Sequence, residues 1–221
     1  MQPCLIFDLD GTLVDALPAI AASLNRTLDA HGLPGHSHAA IRSFIGGGLR
    51  LLIQRALGTG ADPNVIDSLV ALYKKDYELT WPEGSRVYPG VQEMLETLQQ
   101  GGHPLAVLSN KVHDFTVATI RALFPNIHFA AVLGQQDGIP HKPDPAGALQ
   151  LAAAFGTVPA SCVFIGDSSV DLETAANAGM PAIAVTWGYH DRADLLAAGA
   201  TRLSEHPSDL PGLLLEIGGP I

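Results

Sequence analysis

Two aspartates one residue apart, Asp8 and Asp10, close an apolar run and open the segment Asp8-Leu9-Asp10-Gly11-Thr12. In an extended chain residues i and i+2 point the same way, so these carboxylates could converge on one point as the strand ends. Close carboxylates repel each other, and a divalent cation relieves the repulsion. Gly11 permits a tight turn, and Thr12 can hydrogen-bond within it. Asp-Gly is also ordinary turn chemistry. At average residue frequencies, however, chance supplies the four fixed letters only about once in 10⁵ positions. Their place behind an apolar strand strengthens the reading as an acidic, cation-dependent site.

Three further segments carry groups of complementary chemistry. Ser109 and Asn110 follow a second apolar run, where a hydroxyl could donate to a phosphate oxygen or merely cap the next helix. Lys142 lies in His141-Lys142-Pro143-Asp144-Pro145, and its flanking prolines stiffen the segment. A stiffly held lysine can act as a point charge against phosphate; alone, it reads more simply as a solvated surface group. Gly166-Asp167-Ser168-Ser169-Val170-Asp171 spans a strand end and a helix start. Asp167 could complete a metal site with Asp8, or Asp167 or Ser168 could serve as a helix cap. Magnesium needs few carboxylates because it keeps several waters.

The elements that must position these groups alternate between short apolar runs and helical patterns. Strands are expected at 4–8, 105–109, 129–133, 162–166 and 182–186. Helices are expected at 90–100, 114–123, 145–155, 169–178 and near 208–217. This order predicts an α/β fold, a Rossmann-like parallel sheet with helices on both faces. From about residue 15 to 84 the strand pattern stops. Leu17, Ile20, Ala21, Leu24 and Leu28 form an i, i+3, i+4, i+7, i+11 stripe closed by Gly32. Helices are also expected at 38–44, 49–57 and 63–80. The expected organisation is therefore a catalytic core of residues 1–14 and 85–221, with residues 15–84 inserted as a helical domain. In such sheets ligands bind beyond the carboxyl ends of the strands, where Asp8, Ser109 and Asp167 are all expected.

Composition narrows the partners. The chain has 221 residues, 47% hydrophobic and 15% charged, a globular profile. Lysine plus arginine number 12 against 22 acids, a formal charge of −10. Such a surface disfavours nucleic acid and anionic lipid, so an anionic substrate needs a locally positive site. Cys4 and Cys162 sit in apolar strands and are expected to be buried reduced thiols. No apolar run approaches the ~18 residues of a membrane span, and no basic leader precedes the first strand, which points to a cytoplasmic protein. Gly46-Gly47-Gly48 reads as a flexible loop without the lysine of a nucleotide-binding P-loop.

Taken together, the segments at 8–12, 109, 142 and 166–171 resemble the four motifs of the haloacid dehalogenase superfamily, in order and across nearly the whole chain. The insertion ahead of Tyr88-Pro89-Gly90 looks like that superfamily's helical cap. Within it the chain looks most like the phosphoglycolate phosphatases, through Ile45-Gly46-Gly47-Gly48 and the following LRLLIQRAL, Ser109-Asn110-Lys111, and Thr186-Trp187-Gly188-Tyr189. The resemblance implies roles. Asp8 would attack phosphorus and form an aspartyl phosphate. Asp10 would protonate the leaving oxygen and then activate water. Asp8, Asp167 and the Asp10 carbonyl would hold Mg²⁺, with Asp171 supporting the metal from behind. Ser109 and Lys142 would orient and neutralise the phosphoryl group. Thr12, Asn110, Gly47 and Arg50 are expected to bind substrate, with Arg42 as a further cap charge. An acid at position 10 sets the chain apart from haloacid dehalogenases proper and from phosphonate hydrolases.

The expected activity is thus Mg²⁺-dependent hydrolysis of a small phosphorylated metabolite, 2-phosphoglycolate above others, by a monomer or homodimer. A phosphosugar mutase or pyrophosphatase on the same scaffold is the alternative enzyme. A non-catalytic binding module would be marked by loss of a motif acid or of Lys142, and none is lost.

Overall fold

The structure, a computed structural model, describes residues 2–217. The chain opens with β1 (Cys4–Phe7), whose four residues are all buried. Such a run, apolar on both faces, suits the centre of a parallel sheet. Its side chains alternate between the two cores: Leu5 and Phe7 pack on one face, Cys4 and Ile6 on the other.

After β1 the chain forms the two-residue strand β2 (Val14–Asp15), then four helices: α1 (Leu17–Asp29), α2 (His38–Phe44), α3 (Leu49–Leu57) and α4 (Pro63–Gly84). The strand β3 (Arg86–Val87) returns antiparallel beside β2, with Val14 opposite Val87 and Asp15 opposite Arg86. The helical stretch therefore leaves and rejoins at one ribbon. α1 buries Ile20, Ala21, Leu24 and Leu28 of its expected stripe; α4 buries Tyr73, Tyr77 and Trp81 on one line. Ser37 caps α2 and Asp62 caps α4 through their side chains. α4 runs to Gly84, past the expected end at 80, with Pro82 inside its last turn. There Gly84 lies against the α1 backbone, where an added Cβ would come within 2.6 Å of the Ala19 nitrogen.

The remainder alternates as the pattern predicts: α5 (Val91–Gln100), β4 (Leu105–Val112), α6 (His113–Leu123), β5 (Phe129–Gln135), α7 (Ala146–Ala154), β6 (Cys162–Gly166), α8 (Ser169–Ala178), β7 (Ala182–Val185), α9 (Arg192–Ala197), β8 (Leu203–Ser204) and α10 (Leu210–Ile217). The six-stranded sheet has the order β5-β4-β1-β6-β7-β8 with parallel pairing. Strand β4 continues to Val112 beyond the expected end at 109, with a register shift after Leu108. Cys4 and Cys162 are register partners on β1 and β6, both free and buried. No helix of the described residues is long and apolar enough to cross a membrane.

The strand order fixes where a site can form. From β1 the chain proceeds to β4 on one side; from β6 it proceeds to β7 on the other. The loops beyond these adjacent strands diverge and leave a crevice at their carboxyl ends. Asp8 and Asp167 are the first residues past β1 and β6.

Candidate active site

Asp8 and Asp167 meet over that crevice, and Asp171 joins them from the first turn of α8. Carboxylate oxygens of these three residues lie within 4.8 Å of one another. Asp171 is held by a capping box: its Oδ2 accepts from the Ser168 amide at 3.0 Å and the Ser168 hydroxyl at 2.6 Å. Gly166 makes room for it, since a Cβ there would overlap the Asp171 carboxylate.

Lys142 ties the acids together. Its Nζ lies 2.9 Å from Asp8 Oδ1 and 2.6 Å from Asp171 Oδ1, with the side chain nearly buried. Burial pulls the ammonium toward neutrality, but the charges of Asp171 and Asp8 outweigh it and hold Lys142 above the usual lysine value. Asn110 fixes the backbone of Lys142. Its Oδ1 accepts from the Lys142 amide at 2.8 Å, and its Nδ2 donates to the Lys142 carbonyl at 3.0 Å and the Gly46 carbonyl at 2.8 Å. Both ends of this amide are thus bonded to protein, while Asn110 also lines the cavity in which a substrate contact is expected.

Asp167 is 1% exposed. Its Oδ1 accepts from the Thr12 hydroxyl at 3.0 Å and its Oδ2 from the Tyr189 amide at 2.7 Å. Glycines enclose it: a Cβ on Gly11 or Gly188 would overlap its side chain. Thr12, expected to bind substrate, has its hydroxyl turned toward Asp167. Burial, followed by the charges of Asp171 and Asp8, pushes Asp167 well above the ordinary carboxylate value. Asp8 is pushed up to about 7, first by burial, with Lys142 opposing and Asp171 adding to the rise.

This donor set fits a hard divalent cation. It is all oxygen. The three clustered carboxylates have one ammonium among them, paired with Asp8 and Asp171, an excess of two negative charges when all are ionised. Asp167 has no cationic partner among the described residues, a costly state for a buried carboxylate.

Asp10 faces a separate cation. Lys111 Nζ lies 3.0 Å from each of its carboxylate oxygens and 2.7 Å from the Tyr77 hydroxyl on α4. Lys111 and Tyr77 were not singled out as site residues in the sequence. The spacing could have revealed the lysine: with β4 extended, residues 109 and 111 are an i, i+2 pair like Asp8 and Asp10. Ser109 accepts the Lys111 amide at 3.2 Å, which leaves its hydroxyl proton free to donate.

A cavity of about 630 Å³, counting its open mouth, joins these groups to the helical insertion. Asp8, Asp10, Ser109, Asn110, Lys111 and Lys142 line one side; Ile20, Leu49, Leu52, Tyr73 and Tyr77 line the other. Gly46 and Gly48 line it too, whereas Gly47 does not. The glycine run has a steric reason, because a Cβ on Gly48 would come within 2.6 Å of His141. Arg50, expected at the substrate, instead pairs with Asp67 on the exposed surface. Arg42 is likewise engaged elsewhere, donating to the Tyr189 carbonyl and to Asp191.

A parallel sheet bearing an acidic pair past its central strand, with a helical insertion above, defines a class of hydrolase. Residues 5–185 match the haloacid dehalogenase-like hydrolase family, and the chain belongs to it. More particularly, it is 38% identical over 194 residues to a phosphoglycolate phosphatase of Mesorhizobium japonicum, covering 86% of each chain. A phosphoglycolate phosphatase of Yersinia pestis is 33% identical over 187 residues, 83% of this chain and 81% of the relative. Among solved structures, a predicted phosphoglycolate phosphatase from Haemophilus somnus 129pt superposes with a TM-score of 0.89 at 30% identity, covering 96% and 97% of the two chains.

Proposed function

We propose that the protein is a Mg²⁺-dependent phosphatase that hydrolyses a small phosphate monoester, 2-phosphoglycolate above others, through an aspartyl phosphate on Asp8. It is an enzyme of the phosphoric monoester hydrolase class, acting on a small metabolite in the cytoplasm as a monomer or homodimer, with helices α1–α4 as its cap. The observation that carries this reading is the meeting of Asp8, Asp167 and Asp171, with Lys142 paired to Asp8 and Asp171, beside a cavity that Asp8, Asp10 and Lys142 line.

Asp8, Asp167 and the Asp10 carbonyl would hold the cation. When bound it supplies charge neutralisation to the phosphoryl oxygens. The remaining work falls to the chain. An Asp8 oxygen attacks phosphorus as the ester bond breaks, and Asp10 gives a proton to the leaving oxygen. Asp10 then takes a proton from the water that cleaves the acyl phosphate. Lys142, held by Asp8 and Asp171, offsets the charge on the transferring group, and Ser109 donates its free hydroxyl proton to it. Asn110 keeps Lys142 in place, and Thr12 does the same for Asp167. The apolar wall of Ile20, Leu49 and Leu52 offers few partners to sugar hydroxyls, which favours a phosphatase over a phosphosugar mutase.

The test is phosphate release from 2-phosphoglycolate in Mg²⁺. Asp8→Asn is expected to lower kcat by about 10⁴-fold or more, as loss of a covalent nucleophile does. Full activity in that variant would rule out the mechanism.

A further inference from the structure

The cavity holds an imbalance that the phosphoryl chemistry does not use. Its lining contains two cations, Lys142 and Lys111. Lys142 is committed to Asp8 and Asp171 at the phosphoryl end. None of the insertion's arginines or lysines lines the cavity, and the wall facing the acids is Ile20, Leu49, Leu52 and Tyr73. We propose that Lys111 is the specificity residue of this site, its ammonium receiving a second anionic group, a carboxylate, carried beside the ester oxygen of the substrate. The inference rests on the phosphatase reading above.

Three observations lead there. The first is position. Asp10, which delivers the proton to the ester oxygen, lies 3.0 Å from Lys111 Nζ. In a phosphate ester of a 2-hydroxy acid the carboxylate carbon is two bonds beyond that oxygen, so the acid group arrives where the ammonium stands. The second is capacity. An ammonium carries three N–H groups, and here the partners are one carboxylate and the Tyr77 hydroxyl. One N–H shared between the Asp10 oxygens leaves another for a ligand. The third is setting. The Lys111 side chain is 7% exposed, and its neighbours Tyr73, Tyr77 and Phe115 are aromatic. In such low-dielectric surroundings one ionic contact discriminates far more than it would in water. Tyr77 holds the ammonium both by its hydroxyl and by its ring, whose centroid is 4.7 Å from Nζ.

The experiment compares two esters of nearly equal size, 2-phosphoglycolate and 2-hydroxyethyl phosphate, which differ in the carboxylate. The wild type is expected to prefer the anionic ester by about 10–100-fold in kcat/KM, the worth of one charged hydrogen bond. Lys111→Met should bring that ratio close to one, mainly by raising KM for 2-phosphoglycolate, and Lys111→Arg should keep most of it. A purely structural lysine would lower both esters alike and leave the ratio unchanged; that result overturns the proposal, as does a wild type without the preference. Should Lys111→Met fail to fold in a thermal melt, the wild type decides. Glycolate must then compete against turnover of 2-hydroxyethyl phosphate far better than ethylene glycol does, and equal competition refutes the assignment. Hydrolysis of neither ester by the wild type would instead strike at the phosphatase reading, and the inference would fall with it.

Discussion

Adding Mg²⁺ to the metal-free protein is expected to raise its melting temperature, and to raise it more at pH 8 than at pH 5. The reason lies in the charge at the crevice. Asp8 and Asp171 share Lys142 while the neighbouring Asp167 has no cation beside it among the described residues, so full ionisation of the three leaves two negative charges uncompensated. Without a cation the protein lowers that charge by keeping protons: Asp8 is carried from 3.8 to about 7, and Asp167 is also raised. Between those values the folded state binds a proton that the unfolded chain has already released, so stability falls as pH rises through the window. For Asp8 the loss is ~4 kcal/mol across the window. A divalent cation replaces those protons. At a hundredfold excess over Kd, binding contributes ~2.7 kcal/mol, or about 5–11 °C for a chain of this size. At pH 5 protons compete and the shift shrinks. Thermal melts in EDTA and in a Mg²⁺ series at pH 5, 6.5 and 8 measure this directly. Calorimetric titration in two buffers of different ionisation enthalpy should show proton release on binding. A shift equal at every pH, no shift at all, or the same shift in Asp167→Asn would refute the reasoning.

Other variants probe the supports of the site. Asn110→Ala removes the bonds to Gly46 and Lys142; it should cost about 1–3 kcal/mol in denaturant unfolding and lower kcat, because Lys142 loses its backbone clamp. Gly188→Ala places a Cβ into the Asp167 side chain and the Gly11 carbonyl. By titration it should weaken Mg²⁺ binding by about 10–100-fold, the usual effect of disturbing a group behind a metal ligand. Arg50→Ala, on an exposed pair with Asp67, should change stability by less than about 1 kcal/mol and leave steady-state kinetics unaltered. A tenfold fall in kcat/KM would return Arg50 to the site.

The sheet and the acids were legible because both are written in local patterns. A buried parallel strand needs an unbroken apolar run, and CLIF and CVFIG supply two that end at an acid. What the local pattern could not convey was how a side chain divides its bonds among distant partners. Asn110 and Thr12 have the right chemistry to touch a substrate, yet Lys142 lies 32 positions from the first and Asp167 155 from the second, and these partners occupy them. Arg50 belongs to a helix whose exposed face the sequence does not distinguish from its cavity face, since both flank the same buried residues Leu52 and Ile53. Lys111 lay past the expected end of its strand. Only the continuation of β4 to Val112 carries it to Asp10, where Tyr77 reaches it from a helix 34 residues earlier.

The paired strands β2 and β3 have a consequence for how such a protein can change. Both ends of the block from 16 to 85 are already hydrogen-bonded neighbours. A segment whose ends touch makes little closure demand on the sheet that bears it. The block can therefore be exchanged for another by matching that ribbon and a few clasps, among them Asn110 on Gly46, Lys111 on Tyr77, and Arg42 on Tyr189 and Asp191. New molecules could be admitted this way while the reactive floor stays as it is, so chemistry and selectivity are free to diverge at different rates.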